Sequence, residues 1–355
     1  ADFSPGPVNK FNASKIINAI IMKRLEAAFA VILILLSLTA GVSAHSPVLT
    51  GENQGIDHAF SVQDPFKSWA FYGTFPDAGS VSYYTFDLQQ GDRVWFSVFT
   101  PKRDEVYPEA VLIGPGIENS GEIFPGVIVP AGSGYLVIPG TKPNHPEYEP
   151  FTPAANYQWL KAEYIAEVPG TYYIAMVNKG TDAGNYGFAL GYKEEFTLAE
   201  WILIPLSIGN VRIWEGSSQA FVVGFPVFIV LFGMVYLFRF KKEPLPLHPE
   251  TLAGSAGGLL YLAGSAFMLI QALMALMKTG FAGSFLVTAI FILIPLIMGA
   301  LILRYMIRPV RHRGGKLILL GVLGVVVWGG YVVGPVLVIF AGLKLLFDGI
   351  KQKEG

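Results

Sequence analysis

Cysteine is absent from the 355 residues, and charge is scarce, with Asp, Glu, Lys and Arg together making up 14%. The first absence excludes disulfides, zinc–thiolate sites and thiol nucleophiles. The second falls well below the roughly 25% charged residues of an ordinary soluble domain. With 52% hydrophobic residues, it points to a membrane. The H-E-x-x-H, G-x-S-x-G and G-x-x-x-x-G-K-[ST] patterns are also missing, and with them the common sequence signals for metalloprotease, serine-hydrolase and phosphate-loop chemistry. The charge that is present is segregated. Residues 45–200 hold 8 Lys or Arg against 19 Asp or Glu, whereas residues 201–355 hold 13 against 5. An acidic half without a basic patch excludes nucleic acid as its partner.

The chain begins with an N-terminal stretch read as two pieces. Met22, Lys23 and Arg24 precede the apolar run "LEAAFAVILILLSLTAGVSA". A charged start, a short apolar core and the small residues Val42-Ser43-Ala44 form a signal-peptide pattern over 22–44. Residues 1–21 are then an upstream extension. Cleavage after Ala44 makes His45 the first residue of an exported domain. Without disulfides, that domain must rely on its core.

Residues 45–197 read as strands. "VSYYTFDL" (81–88) alternates aromatic and polar residues, a Gln-Gln-Gly-Asp turn follows, and "RVWFSVFTP" (93–101) runs on with Val, Phe and Trp. These residues favour a pleated, half-buried surface. "AVLIGPG" (110–116), "GVIVPAG" (126–132), "GYLVIPG" (134–140) and "GTYYIAMVNKGTDAGNYGFAL" (170–190) repeat the theme between Gly and Pro. The pattern predicts an all-β sandwich or jelly roll. "SYYTFDLQQGDRVWFSV" and "PGTYYIAMVNKGTDAGNYGFAL" resemble, respectively, the core strand pair and the closing hairpin of bacterial pre-peptidase C-terminal domains. The resemblance covers about a third of this region. It implies a β-sandwich accessory or binding module with no catalysis of its own.

Two sets of candidate site residues follow. A mature N-terminal His45 would offer its α-amino nitrogen and imidazole Nδ1 to one metal. Nitrogen donors suit copper(II), and His58 or His145 could complete the site. Oxygen-rich loops at 53–57 and 178–185 are alternative calcium ligands, without EF-hand spacing. Aromatic residues crowd 64–75 and 147–164. Trp69, Tyr148, Phe151, Tyr157 and Trp159 are candidates for a platform that binds a glycan or a partner protein, or else for core residues.

Residues 198–216 read as an interfacial connector with Trp201 and Trp214 at headgroup depth. Residues 217–355 read as an α-helical transmembrane region with spans near 219–238, 253–277 and 282–303. A longer run at 317–347 is either one broken helix or a hairpin. Basic residues concentrate at 239–250 and 304–316, which places those loops in the cytoplasm and the acidic domain outside. Gly254 with Gly258, and Gly330 with Gly334, allow close helix approach. The expectation is a multi-pass protein of the cell membrane, in contact with the bilayer, with an extracytoplasmic binding or accessory domain. Copper handling through His45 and a role as transporter or channel subunit are the alternatives.

Overall fold

A computed structural model describes residues 45–308 and 310–354. The expected signal peptide and upstream extension lie outside the described residues. Eleven strands come first: β1 (Ser46–Leu49), β2 (Phe60–Ser61), β3 (Trp69–Phe75), β4 (Val81–Leu88), β5 (Arg93–Thr100), β6 (Pro108–Gly114), β7 (Gly134–Ile138), β8 (Glu147–Glu149), β9 (Ala154–Ile165), β10 (Gly170–Asn178) and β11 (Gly184–Leu190). They form two mixed sheets, six-stranded β1-β3-β11-β5-β9-β8 and five-stranded β2-β4-β10-β6-β7. β1 with β3 and β2 with β4 are the parallel pairs.

Period-two patterning explains how the sheets meet. Tyr84, Phe86 and Leu88 of β4 turn inward and join Phe71, Phe96 and Phe188 of the other sheet in one core. Tyr84 and Tyr186 hydroxyls pair at 3.0 Å inside it. Val81 and Tyr83 point the other way, into a second cluster where Ile123, Phe124, Val127 and Val129 cover the outer face. The segment 126–132, expected as a strand, is instead an irregular cover over this sheet. Its valines satisfy burial without a ladder. The expected closing hairpin is also corrected, because β10 and β11 belong to different sheets. The two segments that carried the family resemblance pair with each other, β4 with β10 and β5 with β11.

Six α-helices follow: α1 (Leu198–Trp214), α2 (Gln219–Val235), α3 (Pro249–Thr279), α4 (Phe285–Ile307), α5 (Arg313–Val326) and α6 (Val333–Glu354). A π-turn over Tyr236–Phe240 extends α2. The connector is thus a regular helix, opened by a reciprocal Thr197–Glu200 capping box. Its last residue docks on the six-stranded sheet, where Trp214 Nε1 donates to the Gly73 carbonyl at 2.8 Å and the indole meets Tyr72 edge-on. Three helices, Gln219–Phe240, Pro249–Thr279 and Phe285–Ile307, are long and apolar enough to cross a membrane.

The run expected at 317–347 is a hairpin. α5 has 14 residues, about 21 Å of helix, which falls short of a ~30 Å hydrocarbon core. The chain then turns through Trp328, Tyr331 and Val332, all at left-handed φ between 53° and 65°. Such φ values cost about 1–3 kcal/mol each and persist only where surroundings enforce them. Here Trp328 Nε1 donates to the Trp201 carbonyl at 3.0 Å, and the Trp328 ring stacks on Phe291. The hairpin packs around Tyr261 of α3, whose hydroxyl donates to Leu320 O at 3.1 Å. A Cβ at Gly324 would fall 1.6 Å from that hydroxyl. Gly330 and Gly334 face the same ring, while Gly254 and Gly258 face Met306 and Ile302. The small-residue pairs therefore serve packing within the chain.

Candidate functional site

The tip of the β8–β9 turn, Pro150-Phe151-Thr152-Pro153, reaches the helices. Glu149 stabilises it by accepting the Phe151 backbone N–H at 3.1 Å. Thr288 Oγ1 of α4 donates to Pro150 O at 2.6 Å and lies 2.9 Å from the Tyr148 hydroxyl. The Tyr148 and Phe151 rings meet Phe285 and Phe291 of α4 edge-on.

Beside this tip, α1 contributes a buried cation. Arg212 is 2% exposed. Its Nη1 donates to Pro153 O at 2.8 Å and to Glu215 at 2.6 Å. Burial raises the Glu215 carboxyl, and the guanidinium opposes that rise. Arg212 Nε has no hydrogen-bond partner among the described residues.

Below the tip and α1 lies an apolar cavity of about 250 Å³. Phe151, Pro205, Arg212, Phe267 and Phe291 line it, together with Trp328, Gly330 and Tyr331 of the α5–α6 turn. Four buried polar atoms on residues that line it have no hydrogen-bond partner among the described residues, though none of them presents appreciable surface: Arg212 Nε, Ser265 Oγ, Gln271 Nε2 and Tyr331 Oη. Leu206 and Val223, at its edge, are 50% and 55% exposed.

Phe151 and Trp328 also line a second chamber of about 200 Å³, between α1 and the outer face of the six-stranded sheet. Its lining is mixed: His45, Ser97, Glu149, Asn156, Gln158 and Lys161 stand beside apolar residues such as Trp95, Phe99 and Ile204. His45 and Glu149 both line this chamber and keep part of their surface. Burial lowers the His45 imidazole to about 4. Burial also pushes the Glu149 carboxyl up to about 7, against the pull of the Phe151 N–H and Arg212. Asn156 Oδ1 and Gln158 Oε1 are buried without hydrogen-bond partners among the described residues. The chemistry available is recognition: an apolar cavity on one side of Phe151, and a chamber of mixed apolar, polar and charged lining on the other.

No protein-family model matches the chain, and no curated protein sequence matches it. The site is therefore read from its own residues.

The candidate metal residues are not gathered. His45 Nδ1, the nitrogen a chelate would use, lies 2.5 Å from Ser68 Oγ. His58 ends a short 3-10 turn, and His58 and His145 are both exposed. Among the described residues no three His, Cys, Asp or Glu stand close enough to hold a metal ion.

The five aromatic residues do not form one exposed platform. Trp159 is 3% exposed, with its Nε1 donating to Thr100 Oγ1 at 2.9 Å. Trp69 stacks on Phe71 against the core, under the Lys67 ammonium. Tyr157 is half-buried on β9. Tyr148 and Phe151 face the helices instead of solvent. Burial distributes these rings because each strand sends alternate side chains to opposite faces. Sequence reasoning passed over Arg212, Glu149, Ser265, Gln271 and Tyr331 as a group. The available signal was a lone Arg in the apolar stretch 201–214.

Proposed function

We propose that the chain is a membrane-anchored binding protein without catalysis of its own. Its acidic β-domain is an extracytoplasmic sandwich, and its ligand site lies where that domain meets the helices. Two sheets sharing one core support the sandwich reading, and the resemblance to pre-peptidase C-terminal domains agrees with it. The charge asymmetry of the loops supports the outward orientation. The observation that carries the binding reading is the cavity lined by Phe151 and Arg212, a concave apolar space with a few polar groups, which is the usual form of a small-ligand site. Copper binding by His45 receives no comparable support, since Ser68 occupies its Nδ1.

A small apolar photoprobe, a trifluoromethyl-phenyl-diazirine, tests this reading on the full chain in membranes. Insertion at Phe151 or Trp328, suppressed by excess of the non-photoreactive parent compound, is the expected outcome. Labelling confined to outward-facing positions such as Leu231 and Phe232, and not suppressed, would refute a site at this junction.

A further inference from the structure

The chamber of mixed lining is built into the register of the six-stranded sheet. Pro47, Ala70, Ala189, Ser97 and Lys161 are successive cross-strand partners on β1, β3, β11, β5 and β9. Partners in register share one face of a sheet, and all five line the chamber. The middle three are small, so the row forms a trough. Its neighbours in the lining are large: Trp95 and Phe99 of β5 and Tyr72 of β3. Tyr72 and Trp95 are half-buried. Phe151, Phe196 and Trp328 bring three more aromatic rings to the same space of about 200 Å³.

One carboxylate of this lining lacks a counter-charge. Lys161 donates to both oxygens of Glu147, at 3.1 and 3.2 Å. Arg212 Nη1 is engaged by Pro153 O and Glu215. No Lys, Arg or His among the described residues forms an ion pair with Glu149. An anion in the chamber would meet Glu147 and Glu149, and an uncharged ligand would leave Glu149 without its counter-charge. A small cation uses both features of the lining. Aromatic rings attract a cation over their faces, and a buried carboxylate is stabilised by an opposite charge beside it.

We infer that this chamber binds a small organic cation of the ammonium class, held among the Tyr72 and Trp95 rings and the Glu149 carboxylate. The inference rests on the reading of this junction as a binding region and adds to it a second, charge-selective chamber.

Isothermal titration calorimetry on the full chain in a nonionic detergent tests it, with choline as the probe at pH 8.5. Choline should bind saturably. Its uncharged carbon isostere, 3,3-dimethylbutan-1-ol, and methyl glucoside should each bind at least tenfold more weakly. Glu149→Gln and Trp95→Leu should each weaken choline binding at least tenfold. The charged and titratable groups around Glu149 are His45 before β1, Tyr72 on β3, Glu147 and Tyr148 on its own strand, Lys161 on β9, and Arg212 and Glu215 on α1. His45, held near 4, stays neutral from pH 5.5 to 8.5, and burial keeps Tyr72 un-ionised. A Glu149 carboxyl near 7 must lose its proton to pair with the ligand. Choline should therefore bind about thirtyfold more weakly at pH 5.5 than at pH 8.5, and Glu149→Gln should abolish that dependence. Equal binding of the isostere or the glucoside, or unchanged affinity in Glu149→Gln, would overturn the charge assignment. Tighter binding of glycerophosphocholine than of choline would assign the chamber to a lipid head group instead. If Trp95→Leu does not fold, Glu149→Gln decides, because it removes a buried charge and keeps the acceptor for Phe151 N–H. Absence of choline binding while the photoprobe still labels Phe151 would remove this chamber alone. Loss of both signals would remove the junction as a binding region.

Discussion

Glu149 and His45 share one chamber and prefer opposite protonation changes. The Glu149 carboxyl rises from an ordinary 4.5 to about 7. Between those values the folded chain holds a proton that the unfolded chain has released. Stability therefore falls as pH rises through that window, and the cost is complete above pH 7. The His45 imidazole falls from 6.5 to about 4. There the unfolded chain holds the extra proton, so stability is lost as pH falls from 6.5 towards 4. Glu149→Gln keeps the acceptor for Phe151 N–H and removes the titration. Its melting temperature should exceed that of the wild type at pH 8, and the gap should close by about pH 4.5. A gap independent of pH would show that the carboxyl is not buried in this way. Neither residue announces its role in the sequence. Glu149 stands in "EYEPFTP", where carboxylates and prolines read as a solvated loop. Only the descent of that loop onto α4 takes it out of water. His45 attracted attention as a metal ligand, but its imidazole packs beside Ser68, a contact spanning 23 residues that no local pattern encodes.

Among the elements, legibility followed the clarity of the period. β4 coincides with the alternating "VSYYTFDL" because one face meets the core and the other meets a covering loop. β6 is buried along its whole length, so "PEAVLIG" reads as a plain apolar run. β9, with 12 residues, is the longest strand and was hidden among aromatics that suggested a binding surface. Its bulge opposite Val98 and Phe99 further blurs the alternation. The α5–α6 hairpin shows the same ambiguity in helical form. Its glycines could mark a break, a dimer face or a tight fit, and the Tyr261 ring decides for the fit. Gly324→Ala would place a methyl group 1.6 Å from the Tyr261 hydroxyl, and overpacking of this kind costs about 1–3 kcal/mol. Thermal unfolding in detergent should show a lowered midpoint. Combination with Tyr261→Ala should be clearly less than additive, because the second change removes the atom that clashes. Strict additivity would mean that the hairpin is not seated on Tyr261.

Across the whole molecule, contacts of α1 and α4 join the acidic domain to the helices, and a tryptophan pair carries the connection on to the α5–α6 turn. Trp214 and Arg212 of α1 fasten to the sheet and to the β8–β9 tip. Thr288 of α4 fastens to that same tip. The Trp201–Trp328 pair, with centroids 4.6 Å apart, ties the start of α1 to the α5–α6 turn. The Thr288 contact with the tip lies near the start of α4, at the end of the helices that carries the α3–α4 loop, with Lys278 in the last turn of α3. The opposite end carries Arg239, Lys241 and Lys242, and the five basic residues of 304–316. The proposed retention of the basic loops in the cytoplasm would set one orientation for the whole assembly. The absence of cysteine makes this directly measurable, because any introduced thiol is unique. A membrane-impermeant maleimide added to intact cells should label Asp182→Cys on the domain and Phe281→Cys in the α3–α4 loop. It should label Lys242→Cys only after permeabilisation. Labelling of Lys242→Cys with protection of Asp182→Cys would invert the protein.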